Sequence, residues 1–284
     1  MKGISSKIYM FFLVLFMYIP ILTLIVFSFN AKDSRVVWGG FSLRWYEDLF
    51  ANETVMMSLL NTVIIAIVVS VISTILGTTA AIGIFNLKKA SSTVVMNLTY
   101  IPIINPEIIT GVSLMLLFKL FIASTPLKIG NITIIPQMQF GYITLILAHI
   151  SFCVPYVIYN VLPKLRQMNP NLVEAAEDLG CNSHQAFFKV VIPEIMPGVF
   201  SGFVMSLTYS LDDFVVSYFN SGSSVNTLPI TIQAMTKRKI HPDINALSTL
   251  IFVAIMVILV VKNILDNRKL RKIAEDNRLK FSEQ

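Results

Sequence analysis

The feature that most constrains this chain is a series of six long apolar stretches. A helix needs about 20 mainly apolar residues to cross the hydrocarbon core of a bilayer, and each stretch reaches that length. They comprise residues 9–29, 58–85, 94–122, 142–162, 196–219 and 246–265. With 55% hydrophobic and 13% charged residues, the chain carries more apolar surface than one soluble core needs. The sequence therefore predicts an all-α, polytopic membrane protein with six transmembrane helices.

The distribution of basic residues predicts the orientation of these helices. Although Lys2 and Lys7 precede the first stretch, it is too long for a signal peptide and lacks a convincing cleavage site. Of the 22 Lys and Arg residues, those on the side of the termini outnumber the others by 14 to 8, so we expect both termini in the cytoplasm. The predicted parts are a cytoplasmic N-terminus (1–8), a six-helix membrane domain (9–265) with a cytoplasmic loop at 163–195, and a basic cytoplasmic tail (266–284).

The cytoplasmic loop contains signals for two short helices. Asn169 can cap a helix that begins at Pro170, where the missing N–H costs nothing. Gly180 can adopt the left-handed conformation that ends such a helix. Asn182 with Gln185 three residues later predicts a second start. We therefore expect two short helices at an angle.

The same loop carries a spaced motif, which consists of Glu174, Ala175, Ala176, Gly180, Val190, Ile192 and Pro193. It resembles the signature of permease subunits of ATP-driven bacterial importers, with Val190 and Ile192 as conservative replacements. The small side chains of Ala175 and Ala176 permit close approach of another surface, and Glu174 supplies charge. The resemblance implies a coupling loop, in which Glu174, Ala175, Ala176, Gly180 and Pro193 connect this chain to a separate ATPase. The alternative is an ordinary amphipathic helix.

Carboxylates inside the membrane are the next candidates. Asp212 and Asp213 lie deep in the fifth stretch and Glu107 follows Pro106 in the third. Both stretches begin on the predicted cytoplasmic side, so the three acids lie at similar depths and can share a layer. Adjacent helical residues point about 100° apart, so Asp212 and Asp213 cannot both face one cavity unless the helix unwinds. Tyr209 shares a face with Asp213.

Such acids are costly in a bilayer and usually face a cavity or a partner. Carboxylates with an aromatic neighbour suit an organic cation. We therefore predict a substrate pathway containing Asp212, Asp213, Glu107 and Tyr209. The alternatives are structural hydrogen-bonded acids, or acids near the outer interface that are simply hydrated.

A second resemblance covers nearly the whole chain from Gly40 to the last stretch. It is carried by residues 40–46, 210–217, 221–222, 227–230 and 241–247. These segments resemble permease subunits of spermidine/putrescine importers. The resemblance implies a MetI-like type I importer fold in a bacterial inner membrane and a heterodimer with a second, similar permease. It also implies two ATPase subunits that bind ATP and Mg, and an extracytoplasmic polyamine-binding protein.

Other functions are disfavoured by the sequence. There is no Gly-rich phosphate loop followed by Lys, so we expect no ATP site or other cofactor in this chain and no enzyme activity of its own. His149, His184 and His241 lack ligand spacing, which predicts no metal site, and Cys153 and Cys181 are expected to be structural thiols. The net charge of +6 suits an anionic lipid surface and requires no nucleic acid. A permease for another small solute and an ion-coupled secondary carrier remain as alternatives.

Overall fold

The computed structural model describes residues 2–34, 37–123, 127–129, 132–135, 139–237, 243–253, 256, 257 and 260. These residues are almost entirely helical, which confirms the predicted all-α class. The helices are α1 (Lys2–Ser28), α2 (Arg44–Ala51), α3 (Glu53–Phe85), α4 (Lys89–Ile104), α5 (Glu107–Ala123), α6 (Tyr142–Gln167), α7 (Asn171–Asp178), α8 (Ser183–Ala186), a π segment (Phe187–Val191), α9 (Ile192–Asp212), α10 (Val215–Asn220), α11 (Leu228–Lys237) and α12 (Asp243–Val253). Two short strands, β1 (Leu127–Ile129) and β2 (Ile132–Ile135), form an antiparallel hairpin.

Within the described part of the chain, four helices are long and apolar enough to cross a membrane, and a bent pair makes a fifth candidate. The four are Ser6–Ser28, Glu53–Phe85, Tyr142–Gln167 and Ser183–Asp212. The predicted sixth stretch is only partly covered, since most residues after 253 lie outside the described part of the chain, as does the predicted tail at 266–284. The spans found are compatible with six crossings.

The third predicted span is broken into two helices. Helices α4 and α5 meet at an angle of 102°. Asn105 lies between them in an extended conformation with ψ of 135°, as expected for a residue that precedes proline. Pro106 cannot donate a hydrogen bond to the preceding turn, so α5 begins afresh at Glu107.

The fifth predicted span, residues 196–219, was wrong at both ends. Its helix begins at Ser183 and continues through the π segment to Asp212. It then ends, because Asp213 is extended with ψ of 120°, and α10 begins at Val215. The second short helix expected in the cytoplasmic loop is therefore the first turn of this long helix.

The chain forms two compact units, one of residues 54–233 and one of residues 1–53 together with 234–284. In the first unit, α6 packs along α9 through Val157, Val161 and Ile195. Val157 lies where two glycines approach α6: a Cβ on Gly77 would lie 2.5 Å from the Val157 Cβ, and one on Gly202 would lie 3.1 Å from its Cα. Glycine at both positions thus permits close helix packing.

In the second unit, α2 is anchored beside the end of α1. The Trp45 indole N–H donates to the Asn30 carbonyl at 2.6 Å, and the hydroxyls of Ser28 and Tyr46 hydrogen-bond at 2.8 Å. The side chains of α1 that the structure describes are largely exposed, as expected for an apolar helix whose surroundings are lipid or another chain.

Candidate functional site

The two helix breaks border a common cavity in the unit formed by residues 54–233. Its volume is about 220 Å³. The structure brings together all four residues predicted for the substrate pathway, which lie among its lining side chains: Pro102, Ile103, Asn105, Glu107, Thr110, Phe152, Tyr156, Tyr209, Asp212, Asp213, Phe214, Val215 and Val216. Their roles in binding a substrate stay a prediction.

The break before α5 places Glu107 at this cavity. Pro106 accepts hydrogen bonds through its carbonyl from the N–H groups of Ile109 and Thr110, at 2.9 and 3.2 Å. Asn105 closes the turn because its Nδ2 donates to the Thr110 hydroxyl at 3.2 Å. Glu107 is the first residue of α5 and its side chain is exposed, in the first turn where a negative charge is favoured.

The break after α9 separates the two adjacent acids. Asp213 caps α10, since its Oδ2 accepts from the Ser217 N–H at 2.6 Å and its Oδ1 from the Val216 N–H at 3.2 Å. Its side chain is only 5% exposed. Asp212 is exposed and lines the cavity, and it forms no hydrogen bond or ion pair with the rest of the described chain. The sequence indicated that both acids can approach one cavity only if the helix unwinds, and the helix does unwind at this point. The two carboxylates nevertheless have different surroundings.

His149 is a residue of this site that the sequence analysis missed. It lies on α6 and is 1% exposed. Its Nδ1 is 2.8 Å from the Ser210 hydroxyl and its Nε2 is 3.0 Å from the Ser217 hydroxyl. The Nε2 is also 3.4 Å from Asp213 Oδ2. An ionisable residue inside an apolar span needs polar partners, and that signal could have identified it.

A pair of tyrosines forms the aromatic part of the cavity. The rings of Tyr156 on α6 and Tyr209 on α9 stack with centroids 4.1 Å apart and an interplanar angle of 17°. Tyr209 was predicted and Tyr156 was not, because their proximity depends on how α6 packs along α9. Aromatic faces beside carboxylates attract organic cations.

The two half-helices that begin at the cavity pack on each other. A Cβ on Gly111 of α5 would lie 3.3 Å from the Val216 Cα of α10. Asn220 Nδ2 donates to the Gly111 carbonyl at 3.2 Å and to the Val216 carbonyl at 2.9 Å. We therefore expect a displacement of α10 to move α5 and Glu107, its first residue.

The local structure of the loop at 163–195 follows the predicted signals. Asn169 Oδ1 accepts from the Asn171 N–H at 3.1 Å. Gly180 has φ of +91°, and the next N–H, that of Cys181, returns to the Ala176 carbonyl at 3.0 Å. Asn182 and Gln185 form a reciprocal capping box, with distances of 2.8 and 3.2 Å.

The surface of this loop combines acidic and apolar groups. Glu174 and Ala175 are exposed, whereas Ala176 is buried within this chain. The coupling role of the three residues stays a prediction. Leu179 is 87% exposed and Phe188 is 67% exposed. Apolar side chains this exposed at a helix turn are typical of surfaces that other proteins cover.

The α7 helix is also tied to the beginning of the long helix. The Ser183 hydroxyl donates to Glu177 Oε1 at 2.8 Å. Pro193 is exposed and follows directly after the π segment, at the second residue of α9. A π turn is wider than an α turn and is frequent at functional sites.

Metal binding has no support in the part of the chain that the structure describes. No group of three or more His, Cys, Asp or Glu side chains is arranged to hold a metal ion there. The expectations of no ATP site and no cofactor stay predictions.

Comparison with known proteins identifies relatives along most of the chain. A model of the family described as binding-protein-dependent transport system inner membrane component matches residues 73–269. The spermidine/putrescine transport system permease protein PotC of Haemophilus influenzae is 33% identical over 92% of this chain and 95% of its own length. The putrescine transport system permease protein PotI of Escherichia coli K12 is 35% identical over 86% of this chain and 84% of its own.

Solved structures of bacterial ABC transporters contain chains with a similar fold. A chain from a bacterial alginate ABC transporter, crystallised with an alginate pentasaccharide-bound periplasmic protein, superimposes with a TM-score of 0.68 at 14% identity. The match covers 90% of both chains. A second structure of a bacterial ABC transporter for alginate import has a TM-score of 0.69 at 16% identity.

Proposed function

This chain belongs to the family of binding-protein-dependent transport system inner membrane components, and from that membership we propose that it is a permease subunit of an ATP-driven polyamine importer. It is a multi-pass membrane protein whose relatives are transport permeases. The relatives named for spermidine and putrescine transport make a polyamine the preferred substrate.

The observation that carries this proposal is the charge and shape of the cavity between the helix breaks. Two exposed carboxylates, Glu107 and Asp212, border it together with the stacked rings of Tyr156 and Tyr209. Neither Lys nor Arg is among its lining residues in the described ranges. A polyamine carries ammonium groups that pair with carboxylates and methylene segments that pack on aromatic faces.

The long helix supplies a direct route from an ATPase to this cavity. Residues Ser183–Asp212 form one helix, which spans about 45 Å at about 1.5 Å per residue. The acids Glu174 and Glu177 and the exposed Leu179 offer a docking surface at one end, and Asp212 lies at the other. Movement of α7 is therefore passed through the short turn at Gly180 and the Ser183–Glu177 hydrogen bond to the long helix, which carries it to the cavity.

The remaining subunits follow from the importer assignment. We infer that a second, similar permease completes the path, and that two ATPase subunits bind ATP and Mg and contact the loop from the cytoplasm. An extracytoplasmic binding protein delivers the polyamine. Both termini lie in the cytoplasm. ATP and the loaded binding protein bias a helix bundle with two states, so that the cavity opens to one side and then the other.

Transport by the assembled system tests the proposal. The chain is produced with its genomic neighbours in membrane vesicles, and ATP-dependent uptake of labelled spermidine and putrescine is measured for the wild type, Asp212→Asn, Glu107→Gln and Glu174→Ala. We expect uptake by the wild type and a loss in all three variants. In Glu174→Ala, ATP hydrolysis should no longer respond to the loaded binding protein.

Other outcomes identify the alternatives. ATP-driven uptake of a different solute, with no response to polyamines, would keep the importer assignment and remove the polyamine. Uptake that persists after ATP depletion with the proton gradient intact would instead indicate an ion-coupled carrier and contradict the proposal.

A further inference from the structure

The break between α9 and α10 has no helix-breaking residue in the local sequence. Neither proline nor glycine occurs between Gly202 and Gly222, in contrast to the break at Pro106. A run of Leu, Asp, Phe, Val and Ser residues is able to continue as a helix in a membrane. The Asp213 cap is a local signal for the start of α10, and contacts from elsewhere in the fold add to it.

His149 makes contacts on both sides of this break. Its ring hydrogen-bonds Ser210 in the last turn of α9 and Ser217 in the first turn of α10. The same Nε2 lies near the Asp213 carboxylate, which caps α10. One buried side chain on α6 thus fixes the end of one helix, the linker and the start of the next.

We propose that His149 is a positioning residue of the transport cavity, which keeps α9 and α10 separate so that Asp212 faces the cavity while Asp213 caps α10. If the break closed into a continuous helix, residues 212 and 213 would be rotated about 100° apart, and the Asp213 cap would be lost. The inference rests on the proposed function only in its assumption that Asp212 contacts the substrate. The arrangement of residue 212 is measurable without any substrate.

The test places a single reporter cysteine at position 212. The chain has two cysteines, Cys153 and Cys181, which are replaced by Ala and Ser. In the complete complex, the rate at which a small cationic methanethiosulfonate labels Asp212→Cys reports its access to the cavity. This rate is compared with His149 intact, with His149→Ala and with His149→Gln, whose amide can bridge two hydroxyls.

The matched control is Ser206→Ala. Ser206 is buried on α9 one turn before Ser210, and its hydroxyl has no hydrogen-bond partner in the described chain. We expect labelling to slow by about tenfold in His149→Ala, because several buried hydrogen bonds are lost. Labelling should be largely restored in His149→Gln and be unchanged in Ser206→Ala. Equal labelling rates in His149→Ala and the parent would overturn the proposal.

A second variant tests the proposal if His149→Ala does not assemble into the complex. The double replacement Ser210→Ala and Ser217→Ala removes both hydroxyl partners and leaves the imidazole in place. It should also slow labelling at position 212, and an unchanged rate would equally overturn the proposal.

Spermidine uptake, measured per assembled complex with Asp212 present, should fall in His149→Ala and recover in His149→Gln. If the wild type takes up no polyamine, the proposed function fails while the labelling result still decides the role of His149.

Discussion

The Asp213 carboxylate accepts a hydrogen bond from the Ser217 backbone N–H at 2.6 Å, and so begins the helix that follows the break. Asp212, its neighbour in sequence, is exposed and lines the cavity. Two acids that resemble each other in the sequence are thus expected to respond differently to substitution.

Substitutions at positions 212 and 213 should separate a capping role from a transport role. Asp213→Ala removes the cap of α10 and should destabilise the protein by about 1 kcal/mol, seen as a lower thermal inactivation temperature in detergent. Asp213→Asn should cost less, because Asn caps nearly as well as Asp. Asp212→Asn should leave the thermal midpoint unchanged and reduce uptake. A lower thermal midpoint in Asp212→Asn than in Asp213→Ala would contradict this division.

The turn at Gly180 should tolerate replacements according to backbone conformation rather than size. Its φ is +91°, and a Cβ there would meet no atom within 4 Å. Gly180→Ala and Gly180→Val should therefore cost about 1–2 kcal/mol of backbone strain without a steric clash, and Gly180→Asn should cost less. We expect uptake and coupled ATPase activity to be reduced least in Gly180→Asn, more in Gly180→Ala and most in Gly180→Val, while all three variants still insert into the membrane. Full activity of Gly180→Val would remove this turn from the mechanism.

Two glycines of α3 should respond in opposite ways to the same substitution. Gly77→Ala places a Cβ 2.5 Å from the Val157 Cβ, and such overpacking typically costs about 1–3 kcal/mol. Gly83→Ala meets nothing within 4 Å and should stabilise the helix by up to about 1 kcal/mol. Thermal inactivation of the two variants provides the comparison. Equal effects would show that α3 does not pack closely on α6.

The tyrosine pair should affect the apparent affinity for the polyamine. Tyr156→Leu removes a stacked ring from the cavity and should raise the half-saturation concentration for spermidine uptake by roughly thirtyfold, since a desolvated cation–π contact contributes about 2 kcal/mol. Tyr156→Phe keeps the ring and should stay close to the wild type. Tyr159→Leu is the control, because Tyr159 packs edge-on against Tyr100 at 5.5 Å and does not line the cavity. An equal rise of the half-saturation concentration in Tyr159→Leu would show that the effect comes from altered packing and not from a contact with the polyamine.

Signals that act within a few residues predicted local structure well. Asn169, Gly180 and the pair Asn182 and Gln185 were sufficient to predict the beginning of α7, the turn after it and the next helix start, because each acts through backbone groups no more than five residues away. Apolar length predicted the membrane helices for a similar reason, since the thickness of the bilayer sets how many residues a span requires. The first residue of α6, Tyr142, was also predicted.

The break at Asp213 combines a local cap with a contact that depends on the tertiary structure. Its partner His149 lies 61 residues from Ser210 and 68 residues from Ser217 along the chain, so no local pattern relates them. The burial of Ala176 and the stacking of Tyr156 on Tyr209 also depend on how distant segments pack. The sequence by itself determined that this chain forms apolar helices and a loop with capped helix ends, because bilayer thickness and backbone hydrogen bonding are local constraints. Only helix packing decided which acid faces the cavity, because a buried hydrogen-bonding partner can compensate for an interrupted helix only after the fold has brought the two together.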